Sequence, residues 1–208
     1  MKRSSISILM VLICLCTSCS SNVFNVFPAS GICGLHAPWD NLEDETLFHC
    51  FTSGGNFFFL YEVRDSTITY TTDFKGESDV ETEDRVEIFF SPEQSMEKYF
   101  CAEIDPLGRV LDYEGRYYRH LDYGWNFKTM SIAGQLTPQG YVVLGKVSVD
   151  ELESLGVDVD GGFYMGVFRA DYRKDLSVNW YSAVSSDDEY PDFHKPDMLF
   201  ATKLSDKS

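Results

Sequence analysis

Residues 85–90 read Arg85-Val86-Glu87-Ile88-Phe89-Phe90, and apolar side chains recur there at every second position. A period of two is typical of a β-strand that has one face in a hydrophobic core. Val86, Ile88 and Phe90 are predicted to point inward. Arg85, Glu87 and Phe89 are predicted to lie on the opposite, exposed face.

The next such segment, Tyr99–Ile104, repeats this alternation and places Glu103 on the exposed face. It ends in Asp105-Pro106-Leu107-Gly108, whose proline and glycine suit a tight reversal. The two segments therefore predict neighbouring strands that share one core. The predicted core residues are Val86, Ile88, Phe90, Phe100, Ala102, Ile104, Val143 and Val147.

Period-two patterns begin at Leu47 and continue to the C-terminal region. The one convincing helical segment is short: residues 150–155 begin with acidic side chains, and Gly156 follows them. Many short strands with a single helix favour an all-β fold, a two-sheet antiparallel β-sandwich with one short helix. Besides the two described above, strands are predicted near residues 57–63, 108–113, 128–133, 141–149, 163–169, 178–183 and 198–204.

The N-terminal residues have the pattern of an export signal. Two basic residues precede an apolar run over residues 6–15, which is shorter than the roughly 20 residues of a membrane-spanning helix. Leu15-Cys16-Thr17-Ser18-Cys19 then resembles a bacterial lipobox, which predicts lipid attachment at Cys19. The alternative is an ordinary signal peptide that is cleaved nearby.

These signals divide the chain into three parts. Residues 1–18 are predicted to be a lipoprotein signal peptide, residues 19–36 a tether, and residues 37–208 a single domain. Removal of the signal peptide leaves about 190 residues, which is enough for one domain with a substantial core. The expected location is the cell envelope, as an outer membrane lipoprotein whose domain faces either the periplasm or the surface.

The charge of the chain excludes some partners. It carries 17 basic and 33 acidic residues. Such a surface repels phosphate backbones and anionic headgroups, which argues against binding of nucleic acid and against direct electrostatic binding to membranes. Neutral glycans remain compatible with it.

Three cysteines follow the predicted lipid-bearing Cys19, and no pair has the spacing of a zinc site. Cys33 and Cys50 are candidates for a disulfide in an oxidising compartment. Cys101 falls within a strand pattern and is predicted to be a small, partly buried side chain.

Two C-terminal motifs, together with the strand segments above, carry a family resemblance. They read Asn179-Trp180-Tyr181 and Pro191-Asp192-Phe193-His194-Lys195-Pro196. With residues 83–90 and 100–109 they stand in the order found in family 9 carbohydrate-binding modules, which the chain resembles over roughly residues 37–204. The resemblance implies a β-sandwich that binds oligo- or polysaccharide without performing chemistry. Glycoside hydrolases or a glycan transporter are the associated proteins that it suggests.

The resemblance also implies an aromatic clamp in which polar side chains grip the hydroxyls of the terminal sugar. Trp180 matches one side of this clamp, with Asn179 and Arg169 as polar neighbours. The segment that should supply the other side, residues 78–83, contains no aromatic residue. Trp125, in a loop-like segment, and Tyr99 are the candidates to replace it, and burial in the core is the alternative role for Trp180.

Arg169 and Glu103 complete the predicted carbohydrate-binding residues. Arg169 ends an apolar strand pattern, and its guanidinium is suited to paired hydrogen bonds with sugar hydroxyls. An ion pair with Glu87 or Glu103 is the alternative, and the two roles are compatible.

No cofactor is expected, and the metal content is left unknown. His194 is predicted to be structural. Members of the resembling family can carry calcium, and Asp65, Asp171 and Asp175 offer oxygen ligands in loops, although no calcium-binding loop motif is present.

Two other functions compete with sugar binding. Glu87 and Glu103 on neighbouring strands could form the carboxylate pair of a glycosidase. Related sandwiches in the wider superfamily hold haem between a methionine and a histidine, and this chain has candidate ligands, although their spacing selects no pair. These candidates are His49, His120, Met96, Met130 and Met165.

Overall fold

The computed structural model describes residues 32–39, 46–175 and 177–204, which form two packed antiparallel β-sheets. The two-sheet sandwich predicted from the period of two is therefore confirmed. The signal peptide, Cys19 and most of the predicted tether lie outside the described residues. Among the described residues, no helix is long and apolar enough to cross a membrane.

The first sheet has five strands in the order β1-β2-β3-β9-β8. All of its neighbouring strands pair antiparallel. Its strands are β1 (Ile32–Gly34), β2 (Leu47–Ser53), β3 (Asn56–Arg64), β8 (Ser131–Thr137) and β9 (Gly140–Ser148).

The second sheet has seven strands in the order β11-β10-β4-β5-β6-β7, and β12 also pairs with β10. Its strands are β4 (Arg85–Ser91), β5 (Tyr99–Ile104), β6 (Val110–Arg116), β7 (His120–Asp122), β10 (Phe163–Tyr172), β11 (Val178–Ser182) and β12 (Phe200–Thr202). The predicted helix is present as α1 (Val149–Ser154), whose N-terminus is capped by the Ser148 side chain.

The folded domain begins before residue 37, the predicted boundary between the tether and the domain. β1 pairs with β2, and Leu35 is buried in the core between the sheets. The sheet therefore includes the last residues of the 19–36 segment that the sequence assigned to a tether. Each predicted core residue is buried between the sheets, with Phe90 packed edge-on against Phe57 at a centroid distance of 5.3 Å.

The prediction that one face of β4 and β5 is exposed is wrong. Every residue of both strands is buried, including Glu87 and Glu103. The 3₁₀ helix Glu77–Thr82 and the segment 191–199 cover part of the outer face of the seven-stranded sheet, the face turned away from the other sheet. This cover makes a second hydrophobic cluster, formed by Val80, Phe89, Met96, Tyr99, Cys101, Leu111, Tyr113, Phe168, Phe193, Met198 and Leu199.

The predicted disulfide is not formed. Cys33 pairs across the strands with Phe48, and Cys50 lies two residues further along the same face of β2. Burial raises the pKa of the Cys33 thiol to about 11 and that of Cys50 to about 12. Both groups are therefore held as neutral thiols.

Candidate functional site

A cleft lies on the outer face of the seven-stranded sheet, beside the segment that covers this face. Arg85, Glu87 and Glu103 form its floor, and Trp180 and Tyr123 stand at its sides. Its volume is about 210 Å³. This is below the roughly 300–1,000 Å³ of pockets that enclose a whole small molecule. The cleft is therefore suited to one ring of a larger ligand.

The floor is a buried ion-pair network that β4 and β5 position by alternation. Arg85 Nε donates to Glu87 Oε1 at 2.8 Å and lies 2.7 Å from Glu103 Oε2. Tyr113 donates its hydroxyl hydrogen to Glu103 Oε1 at 2.8 Å. One guanidinium thus contacts two carboxyl groups in a region from which most water is excluded.

Arg85 keeps one donor group uncommitted. Its Nη1 donates to the Glu81 carbonyl oxygen at 2.9 Å and to the Tyr172 hydroxyl at 3.3 Å. Its Nη2 donates to none of the described residues. A guanidinium that is fixed on one side and open on the other can present its remaining N–H groups to a ligand in a set geometry.

The protonation states follow from burial and from these charges. Burial lowers the pKa of Arg85, but Glu87 and Glu103 more than reverse this, so its net pKa lies above the usual range. Burial, followed by the Glu103 charge, raises the pKa of Glu87, against the effect of Arg85. Arg85 therefore stays protonated across the physiological pH range.

The aromatic sides come from opposite edges of the sheet. Trp180 is on β11, pairs with Ala170, and packs edge-on against Phe193 at 5.3 Å. Tyr123 follows β7, is 49% exposed, and its ring lies 5.1 Å from that of Tyr113. The two rings flank the charged floor and provide an aromatic side at each edge of the cleft.

His194 belongs to the covering segment and lines the cleft, but its ring is held by hydrogen bonding and packing. Its Nδ1 is 2.6 Å from the Tyr99 hydroxyl, and its ring is 5.1 Å from that of Phe89. Burial, followed by the charge of Arg119, lowers the pKa of His194 to about 4. A neutral imidazole that accepts from Tyr99 fits the predicted structural role.

This arrangement predicts a pH dependence of stability. The folded-state pKa of His194 is below its unfolded value of roughly 6.5, so the unfolded chain binds the proton first. The His194 contribution is present above pH 6.5 and is lost as the pH falls toward 4. The difference in unfolding free energy between the native chain and His194→Gln should narrow by about 3 kcal/mol from pH 7.5 to pH 4.5.

Urea denaturation of both proteins at the two pH values measures this difference. The native chain must be compared with the variant because Asp84 also titrates in this range. Burial raises the pKa of Asp84 to about 7, so its contribution to the unfolding free energy grows as the pH falls, opposite to that of His194. A difference that does not change with pH would contradict the assignment.

The structure brings together only some of the sequence-predicted site residues. Trp180 and Glu103 line the cleft, whereas Tyr99 lies beneath it, bonded to His194. Trp125 does not project from its loop as expected: it is half-buried and packs against Phe100 and Phe127 on the core side, at 5.0 and 4.7 Å.

Arg169 and Asn179 lie away from the cleft. Arg169 pairs with Val86 across the strands, so it shares the inward face with Val86, and Asn179 donates to Asp171 Oδ2 at 3.0 Å. The expected ion pair of Arg169 with Glu87 or Glu103 is wrong because those side chains point to the other face. Arg169 Nη2 instead donates to Asp65 Oδ2 at 2.5 Å.

Arg85, Tyr123 and Arg119 are among the cleft residues that the sequence analysis does not identify. Arg85 stands in the strand already identified and shares a face with Glu87, so the alternation could have indicated it. Tyr123 lies in the same loop as Trp125. Arg119 contacts Asp192 across 73 positions of sequence, and no local signal predicts that contact.

The predicted calcium ligands are partly brought together. Asp65 and Asp171 join Asp84 in a cluster whose oxygens lie within 4.8 Å of one another, while Asp175 is exposed and bonded to Ser177. Calcium takes six to eight oxygen ligands. Here Arg169 already pairs with Asp65, and two backbone N–H groups donate to Asp84. The cluster as it stands is a poor fit to calcium.

The described residues do not assemble a haem site. His49 lies on the outer face of the five-stranded sheet, 3.0 Å from Glu62. Met165 is buried between the sheets and Met96 in the second hydrophobic cluster. His120 is exposed and Met130 packs at the margin of the main core. Within the described part of the chain, no methionine of these five candidates therefore lies together with a candidate histidine.

Comparison with solved structures identifies the fold. The sequence matches no protein-family model and no curated protein. A protein from Bacteroides uniformis, named as a putative carbohydrate-binding protein, is similar over 84% of this chain and 85% of its own, with a TM-score of 0.62 and 19% identity. A family 9 carbohydrate-binding module from Caldicellulosiruptor kristjanssonii, solved with glucose, is similar over 85% of this chain and 86% of its own, with a TM-score of 0.54 and 13% identity. The fold is therefore that of a family 9-like module, as the sequence resemblance predicted.

Proposed function

We propose that this chain, with its family 9-like sandwich, binds carbohydrate in the cleft between Trp180 and Tyr123. The observation that carries the proposal is the combination of aromatic sides with a fixed, charged floor. Pyranose rings present apolar C–H faces and a rim of hydroxyls. A site that binds them needs flat aromatic surfaces and a few oriented polar groups.

Each part of the cleft has a role in this proposal. Trp180 and Tyr123 supply ring faces for stacking. Arg85 donates from Nη2 to hydroxyl oxygens, and Glu103 holds Arg85 in place. Because the guanidinium is already paired with two carboxylates, the floor has little net attraction for anionic sugars. The preferred ligands are neutral glycans.

We propose that the binding is non-catalytic. A glycosidase needs one carboxyl group that gives its proton to the glycosidic oxygen and a second carboxylate across the bond. Glu87 and Glu103 instead contact the same guanidinium, at 2.8 and 2.7 Å. Neither is placed to act on a bond lying between them, because Arg85 occupies that position.

A glycan array tests the proposal. The purified chain is expected to be retained on a subset of neutral oligosaccharides and to leave them uncleaved after prolonged incubation. Retention on no glycan at all would contradict sugar binding. Release of shortened products would contradict the non-catalytic role.

The cellular setting belongs to the same proposal. The N-terminal segment supports an exported lipoprotein of the cell envelope, anchored in the outer membrane through Cys19. There the domain would capture oligo- or polysaccharide for glycoside hydrolases or for a glycan transporter. The acidic surface is compatible with this role because it does not repel neutral glycans.

Cys19→Ser tests the anchor directly. The cysteine sulfur is the attachment point of the lipid, so this variant should lose labelling by radioactive palmitate and should appear in the soluble fraction or as an unprocessed precursor. Cys33→Ser is the matched control and should be labelled normally. Unchanged lipid labelling of Cys19→Ser would refute the lipoprotein assignment.

A further inference from the structure

A second groove continues from the cleft along the outer surface. Its walls include Tyr118 and Tyr190, and it shares Arg119, Pro191 and Asp192 with the cleft. The Arg119–Asp192 ion pair, whose closest atoms are 2.7 Å apart, therefore lies at the boundary of the two depressions.

Tyr118 is held in a defined position while its ring remains accessible. Its hydroxyl donates to Asp192 Oδ2 at 2.7 Å and accepts from Arg119 Nε at 3.2 Å. The ring is 48% exposed. An aromatic side chain that is already fixed loses little conformational freedom when a ligand stacks on it.

Tyr190 is the second aromatic residue of the groove and is 71% exposed. It stands in the segment that leads from Asp188, which pairs with Lys195 at 2.7 Å, to Asp192. Its ring contacts no other aromatic ring among the described residues. With Tyr118 it places two exposed aromatic side chains on one groove, and clustered exposed apolar surface is typical of a binding site.

We propose that this groove is a second sugar subsite, which binds further units of a glycan whose first ring occupies the cleft. The inference rests on the proposed function and extends it from one ring to a neutral oligosaccharide of several units. Tyr118 and Tyr190 offer faces for stacking. The ion pairs Arg119–Asp192 and Lys195–Asp188 offer donors and acceptors for hydroxyl groups along the chain.

The subsite predicts a dependence of affinity on chain length. A monosaccharide reaches only the cleft, whereas a longer chain also gains the contacts of the groove. Two further stacking contacts are expected to tighten binding of a hexasaccharide by about ten-fold relative to a disaccharide. The shallow, open shape of the groove argues against a much larger gain.

Isothermal calorimetry with defined sugar series tests the inference. The probes are the monomers to hexamers of β-1,4-glucan, β-1,4-xylan, β-1,4-mannan and α-1,4-glucan, titrated into the native full-length chain. The double variant Tyr118→Ala/Tyr190→Ala should lose the length dependence and keep its affinity for the monomer and dimer. Phe74→Ala is the control, because Phe74 is 38% exposed and lines neither the groove nor the cleft.

Tyr190→Ala alone provides a second measurement if the double variant is unstable, since Tyr190 makes no ring contact whose loss would disturb the fold. It should lose part of the length dependence. Equal affinity of the native chain for all lengths, or a double variant that still prefers hexamers, would overturn the subsite and leave the proposed function standing. Failure of every sugar to bind would overturn both.

Discussion

Replacing Arg85 with methionine is expected to lower the unfolding free energy by about 3–5 kcal/mol and to abolish carbohydrate binding. The substitution leaves Glu87 and Glu103 buried without their counter-charge, which is the costly way to break a buried ion pair. It also removes the N–H groups of Nη2 from the cleft. Urea denaturation and calorimetry with the glycans selected by the array measure the two effects.

A pH series sharpens this prediction. Protonation of a carboxyl group removes its need for a cation, so the loss of stability in Arg85→Met should shrink as the pH falls. Lys98→Met is the matched control: its ammonium also lies 2.7 Å from a glutamate, Glu114, but the lysine side chain is 42% exposed. That exposed pair should contribute about 0.2–1 kcal/mol. If Arg85→Met were as stable as Lys98→Met, the buried ion-pair network would not contribute the expected free energy, and the prediction would be wrong.

Alanine substitution of the two tryptophans is expected to separate binding from folding. Trp180→Ala should weaken glycan binding by at least about ten-fold while the fold is retained, because stacked aromatic side chains dominate such sites. Trp125→Ala should instead lower the unfolding free energy by about 3 kcal/mol, since its ring packs on Phe100 and Phe127. Its glycan affinity should remain that of the native chain.

Calorimetry and thermal denaturation on the same samples check this pair of expectations. Unchanged affinity in Trp180→Ala would remove that residue from the site. Lost affinity in a fully folded Trp125→Ala would show that the loop tryptophan, and not the β11 tryptophan, contacts the sugar.

The sandwich could be predicted because its strands are short and several of them, such as β4 and β5, carry apolar side chains at every second position. The period of two alone predicts which side chains of β4 and β5 point into the core. The burial of Glu87 and Glu103 could not be predicted in this way. Alternation shows which side chains share a face, but the cover over that face comes from the 3₁₀ helix Glu77–Thr82 and from residues 191–199, which are distant in sequence.

The candidate site was predicted only in part for the same reason. The motif indicates Trp180, whereas Arg169 is selected as the guanidinium of the site although alternation places it with Met165 and Val167 on the inward face. Arg85 is not among the predicted site residues. Within the loop after β7, composition did not distinguish the half-buried Trp125 from the exposed Tyr123. Tertiary packing decides which of two neighbouring aromatic residues reaches a cleft.

The most direct measurement is a crystal structure of the chain with a glycan that the array selects. We expect a pyranose ring stacked on Trp180, with a sugar hydroxyl within hydrogen-bonding distance of Arg85 Nη2. A glycan bound elsewhere, for example on the outer face of the five-stranded sheet beside His49 and Glu62, would contradict this expectation.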